Sequence, residues 1–174
     1  QAILDELIDL KEDGSFRLNL DYFDYATGLR MTNRNFDRLF GGPPRSPEAP
    51  LTQKEMDLAA SVQAVVQEAV LRLTRALRKQ YSSENLCLAG GVALNCVANG
   101  AIARERIFEN IWIQPAAGDA GGAIGAALAA HFEVEDTPRV TMSHAYFGPE
   151  FSRESVRCSL EDLGADFEVV ESNE

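Results

Sequence analysis

Apolar residues first recur at helical spacing, at Ile3, Leu4, Leu7, Ile8 and Leu10, a stretch that reads as the last turns of a helix stopped by Asp13-Gly14. The period then drops to two. Phe16, Leu18 and Leu20 alternate with Arg17, Asn19 and Asp21, as in a half-buried strand, and Tyr22 to Tyr25 leads into a turn near Thr27-Gly28, so a hairpin is expected. Residues 41–50 contain Gly-Gly-Pro-Pro and four prolines in total, which excludes regular structure and makes them a connecting loop. Helical spacing returns from Thr52 to Tyr81. Thr52 and Glu55 form the T-x-x-E capping box, and Leu58, Val62, Val65, Ala69, Leu73 and Ala76 form one apolar stripe on a helix about 43 Å long, whose role is packing.

Beyond it the chain alternates: strand Asn85 to Ala89, helix Val92 to about Arg106, strand Ile111 to Gln114, helix Ala120 to Phe132. Strands alternating with helices predict an α/β fold, a parallel or mixed sheet flanked by helices. Glu133 to Val140 is polar, contains Pro138 and reads as a linker. Ser152 to Leu163 reads as a capped helix and Phe167 to Val170 as a short strand, so the last thirty residues are expected to begin another domain. No internal repeat or low-complexity segment stands out.

Composition narrows the function classes. The 174 residues suit one domain, or one domain plus part of another, and 45% hydrophobic content suffices for a core. A formal charge of -11, with scattered Lys and Arg, argues against a nucleic-acid groove, which needs clustered cations. Cys87, Cys96 and Cys158 are an odd set without CxxC spacing, so neither a disulfide framework nor a structural zinc site is expected, and reduced thiols in the cytoplasm fit best. There is no signal-peptide pattern and no apolar run of about 18 residues, so neither secretion nor membrane spanning is expected. Gln1 in place of an initiator Met, and an end at Glu174 within a charged stretch, suggest a piece of something longer.

Candidate chemistry gathers in two glycine-rich strand-to-helix turns, GGVALN and PAAGDAGG. Each would expose unpaired backbone N–H groups and the positive end of a helix dipole to an anion. Gly90 and Gly91 let a ligand approach the backbone, while Asn95 and Asn99, four apart, would share one helix face opposite Leu94, Val97, Ala98 and Ala101. Paired glycines serve tight turns equally well, so both readings stand. Asp119 follows Gly118 at an expected helix start, where Asp is an ordinary cap; a carboxylate beside a phosphate pocket calls instead for a cation, which makes Asp119 a candidate metal ligand. His131 and His144 lack ligand spacing and are expected at the surface or as C-terminal caps. Trp112, Cys87 and Cys96 are expected in the core, with Cys96 close enough to Asn95 to line a pocket.

The segments GGVALNCVANG and IWIQPAAGDAGGAIGAAL, with SFRLNLDYFDY, FGGPPR, PLTQKEMDLAASVQA and AYFGPEFS in the same order, resemble the O-carbamoyltransferases of the nodulation and antibiotic-tailoring type. The resemblance runs from Gly14 to about Ser155. It implies the second lobe of an actin-like ATPase (ribonuclease H-like) domain, similar to the tRNA threonylcarbamoyl-transfer protein, over residues 1–136, then a linker over 137–151 and the start of a truncated YrdC-like domain over 152–174. It also implies the chemistry: carbamoyl phosphate and ATP give a carbamoyl adenylate, and the carbamoyl group passes to a hydroxyl of a small-molecule or sugar acceptor. By motif, Gly90, Gly91 and Asn95 correspond to the adenosine-binding turn, Gly118 joins them as a cofactor-binding residue, and Asp119 corresponds to a ligand of the active-site divalent metal, iron in the family. The family's HxxxH pair has no counterpart here, so the metal site is incomplete in this chain and the chain alone is expected to be inactive. The rivals are another actin-like superfamily enzyme, a kinase or a threonylcarbamoyl transferase, and a non-catalytic nucleotide-binding module. The acceptor and the oligomeric state are left open.

Overall fold

In the computed structural model, residues 1–134, 137–138, 142, 144–146 and 148–170 are described. The chain divides into two compact units, residues 1–141 and 142–174.

The first unit opens with one wide helical turn, Ile3–Leu7, whose Ile3 and Leu7 are buried. The helix stops there, earlier than the apolar spacing predicts. Ile8–Leu10 is instead a strand, β1, paired antiparallel with β2, Phe16–Leu18, in the register Ile8 to Leu18 and Leu10 to Phe16. Asp13-Gly14 is thus the tip of a hairpin and not a helix stop. Gly14 at φ +84° lies so close to the next long helix that a Cβ there would overlap the Leu73 amide nitrogen. The turn near Thr27-Gly28 also exists, but it closes an isolated antiparallel bridge, Phe23 to Thr32, in place of a second ladder. A short helix that alternation did not predict follows: α1, Arg34–Leu39, capped by Asn33, whose Oδ1 accepts from the Asn35 and Phe36 amides at 2.8 and 3.4 Å. Asx capping can start a helix too short to show a hydrophobic period.

After the irregular, proline-rich residues 41–50, α2 spans Gln53–Gln80. At its start the Thr52 amide and hydroxyl both donate to Glu55 Oε2, holding the Glu55 carboxyl below the usual glutamate range. Arg72 of α2 donates to the Leu10 and Lys11 carbonyls at 3.4 and 3.1 Å, tying the helix to the hairpin.

β3, Asn85–Leu88, and β4, Asn110–Ile113, pair in parallel, Asn85 to Asn110 through Leu88 to Ile113. Between them runs α3, Cys96–Glu105, so the β3-α3-β4 segment is the right length for a crossover unit. Leu86, Ile102 and Phe108 form the core, with Val70 and Leu71 of α2, Leu88 and Ile111 packed against it. Full burial of Ile102 stabilises the unit by about 2 to 3 kcal/mol. Arg75 of α2 and Glu105 of α3 are joined by three hydrogen bonds, of 3.0, 2.5 and 2.7 Å, which raise the guanidinium's pKa above its ordinary value.

Among the described residues the fold is therefore mixed α/β with two small sheets, one antiparallel and one parallel. Trp112, Cys87 and Cys96, expected in the core, are exposed, as is Cys158. These positions lie on sheet and helix faces that no described residue covers. The last helix of the unit, α4, spans Asp119–Val134 and has no buried residue, although most of its side chains are apolar.

The second unit contains α5, Arg153–Asp162, where Ser152 Oγ accepts from the Ser155 amide at 3.1 Å. Residues 167–170 form no strand, because among the described residues none pairs with them. The linker expected over 137–151 falls partly outside the described residues.

Candidate functional site

The first glycine turn leaves β3 at Leu88 and does not lead straight into a helix. Gly90 adopts φ +95°, a conformation that favours glycine, and a Cβ on it or on Gly91 would meet nothing within 4 Å. The backbone here faces open space, as a ligand cradle requires. Gly91–Leu94 then forms one 3₁₀ turn, in which the Ala93 amide donates to the Gly90 carbonyl at 2.9 Å, and α3 begins only at Cys96. The single helix from Val92 predicted by the sequence is thus broken at Asn95, whose ψ of 89° lies outside the helical range.

Asn95 is the N-cap of α3 and does not share a helix face with Asn99. Its Oδ1 accepts from the Ala98 amide at 3.1 Å, and its carboxamide exchanges two hydrogen bonds with Gln63 of α2, of 3.1 and 2.9 Å. Asn99 Nδ2 donates to the Ala93 carbonyl at 2.7 Å and ties α3 back onto the 3₁₀ turn. Of the four residues expected on the inner side, Ala98 and Ala101 are buried, whereas Leu94 and Val97 are exposed. The break at Asn95 rotates Leu94 out of the helical phase.

Sequence reasoning missed Gln63. Its signal was its position three residues before Val66 and seven before Val70, a polar side chain on the helix face that packs inward.

The second turn follows β4. The Gln114 amide donates to the Leu88 carbonyl at 3.0 Å, extending the parallel pairing, and Gln114 Oε1 accepts from the Ala116 amide at 2.9 Å. Ala117 is buried and Gly118 half-buried, and a Cβ on Gly118 would lie 4.0 Å from Leu94 Cδ1. The two turns therefore meet at Gly118 and Leu94. Asp119 opens α4 and is exposed.

Among the described residues, no three His, Cys, Asp or Glu side chains gather to hold a metal ion. One exposed carboxylate cannot supply the ligand set of a transition metal, so the donors among the described residues do not by themselves fit iron. The backbone at residues 90–91 is open, with room for a ligand to approach it. His131, in the last turn of α4, lies 3.1 Å from Thr137 Oγ1 through Nε2, as suits an end-of-helix residue. Among the described residues, no helix is long and apolar enough to cross a membrane.

Residues 1–128 match the family model described as carbamoyltransferase N-terminus. The chain is 58% identical over 163 residues to the uncharacterized protein sll1178 of Synechocystis sp., covering 91% of this chain and 26% of that protein. It is 35% identical over 150 residues to nodulation protein NolO of Bradyrhizobium diazoefficiens, covering 86% and 25%, and 34% identical over 169 residues to nodulation protein NolNO of Sinorhizobium fredii, covering 96% and 23%. The chain spans about a quarter of the length of these relatives.

Proposed function

The chain belongs to the carbamoyltransferase family whose N-terminal model it matches, and on that premise we propose that it is one part of an O-carbamoyltransferase with an actin-like fold. The complete enzyme takes a carbamoyl group from carbamoyl phosphate, by way of an ATP-derived carbamoyl adenylate, to a hydroxyl of a small-molecule or sugar acceptor. In the transfer step the acceptor oxygen attacks the carbamoyl carbonyl carbon, AMP departs with the electrons of the broken C–O bond, and the hydroxyl proton passes to a base.

One observation carries the reading for this chain: the open backbone of Gly90 and Gly91, directly after a parallel strand and in contact with the second glycine turn through Leu94. Here the turn binds the adenosine part of the nucleotide, with Gly118 on its far wall. Asn95 acts by setting the turn's geometry, because its carboxamide is engaged by Gln63 and by the Ala98 amide. Asp119 contributes one carboxylate to a metal site whose other ligands lie elsewhere in the complete enzyme. A metal held there would supply Lewis-acid polarisation of the carbonyl and would screen phosphate charge.

The test is an assay of the full-length protein with carbamoyl phosphate, ATP and a panel of hydroxylated acceptors. Carbamoylated product dependent on both donors is expected. The purified 174-residue chain is expected to show no transfer, and turnover of carbamoyl phosphate by it would overturn this division of the site.

A further inference from the structure

Away from the glycine turns, an open surface cleft of about 680 Å³ between Asp24 and Pro44 carries Arg30, Arg34 and Arg38, all exposed, on its wall. The chain has 27 acidic residues against 16 Lys and Arg, yet among the described residues none of these three guanidinium groups has a carboxylate partner. Arg38 Nη1 donates to the Asn35 carboxamide Oδ1 at 3.5 Å.

The frame beneath them is fixed. The Phe23 to Thr32 bridge, the Asp24 amide on the Met31 carbonyl at 3.1 Å and the Gly28 amide on the Asp24 carbonyl at 2.7 Å close the loop that carries Arg30. Asn33 and Asn35 both donate to the Asp21 carbonyl, at 3.0 and 2.8 Å, fastening α1 to the turn Leu20–Tyr22 that precedes the loop, and the Phe23, Phe36 and Phe40 rings pack in series beside it. Arg34 and Arg38, four apart, share one helix face. Two carboxylates face the same cleft. Asp24 accepts from Asn33 Nδ2 at 3.4 Å, leaving acceptor capacity, and Asp37 lies on α1 between the two arginines.

Guanidinium groups recognise phosphoryl oxygens through paired hydrogen bonds, whereas carboxylates accept from hydroxyls and repel a bare anion. The cleft has room for a small molecule. We propose that this cleft binds a phosphorylated polyhydroxy compound, its phosphoryl group held by Arg30, Arg34 and Arg38 and its hydroxyls by Asp24 and Asp37.

Titration calorimetry on the 174-residue chain, with glucose 6-phosphate, inorganic phosphate and glucose as probes, tests it. Saturable binding of glucose 6-phosphate, weaker binding of phosphate and none of glucose are expected. Affinity should fall as salt is raised, and by about tenfold or more in the R30Q/R34Q double variant. D24N should narrow the preference for glucose 6-phosphate over phosphate. The proposal is overturned if glucose 6-phosphate does not saturate by about 10 mM, if R30Q/R34Q binds as the unaltered chain does, or if D24N leaves the preference intact. Salt dependence is read on the unaltered chain, so an affinity indifferent to ionic strength overturns it even where a variant fails to fold.

Discussion

The carboxamides of Gln63 and Asn95, 32 residues apart in sequence, face each other head to tail and join the long helix α2 to the first glycine turn by two hydrogen bonds. Both side chains are half-buried, so neither can recover its partner from bulk water at no cost. Replacing Gln63 with Leu should destabilise the chain by about 1 to 3 kcal/mol, because the Asn95 amide loses its partner. In a urea-denaturation cycle, Q63L and N95L should couple, with the double variant costing less than the sum of the singles. Strict additivity would mean that the pair is a contact without energetic consequence.

Gly14 sets a second test. A side chain there would need a positive φ and would collide with the Leu73 backbone. G14A should cost about 2 kcal/mol or more, read as an earlier thermal midpoint, with the far-UV spectrum of α2 preserved. An unchanged midpoint would show that the hairpin tip can lift from α2 freely.

The start of α2 gives a pH dependence. Hydrogen bonds from Thr52 lower the folded-state pKa of Glu55 from its ordinary value of 4.5. Its contribution is therefore fully present above about pH 4.5 and lost as pH falls through the lower folded value. Asp13, lowered by its hydrogen bonds from Ser15, acts with the same sign. Thermal midpoints of T52V and the unaltered chain should differ at pH 7 and converge in acid. A gap that widens in acid would reverse the assignment.

Asp119 separates two roles. In the full-length protein, D119N should lower carbamoyl transfer and bound metal together, by about tenfold or more. As the 174-residue chain, neither the unaltered protein nor its D119N variant should retain iron through gel filtration, since the described residues offer no cluster of three ligands. Metal bound by D119N as well as by the unaltered full-length protein, or full activity of D119N there, would make Asp119 only the opening residue of α4.

The sequence disclosed those features that local chemistry dictates. Thr52 and Glu55 marked the cap at the start of α2, and the apolar runs around Leu86 and Ile111 marked the parallel strand pair. It was silent where a structure depends on a partner distant in the chain. Ile8 to Leu10 has helical spacing, but its pairing with Phe16 to Leu18 overrides that spacing. Asn95 looked like a helix-face residue because its role as a cap depends on a ψ that only the folded turn reveals. Trp112 and Cys87 were expected in a core because their neighbours are apolar, whereas alternation along β3 and β4 turns them to an open face. Of the candidate site, both glycine turns were legible, and their meeting at Leu94 and Gly118 was not.

α4 carries this further. Its 16 residues include Ala120, Ala123, Ala126 and Ala127, which favour a helix, and Gly121, Gly122 and Gly125, each of which costs about 1 kcal/mol in one, while no side chain is buried. A helix of that length with so little tertiary burial is marginal in water. Amide hydrogens of α4 should consequently exchange through local opening long before those of α2 and α3, so Asp119 stands at the edge of the segment that melts first. Any contact that covers the apolar side chains of α4 would then set, through helix–coil equilibrium alone, how often Asp119 is held at a helix start.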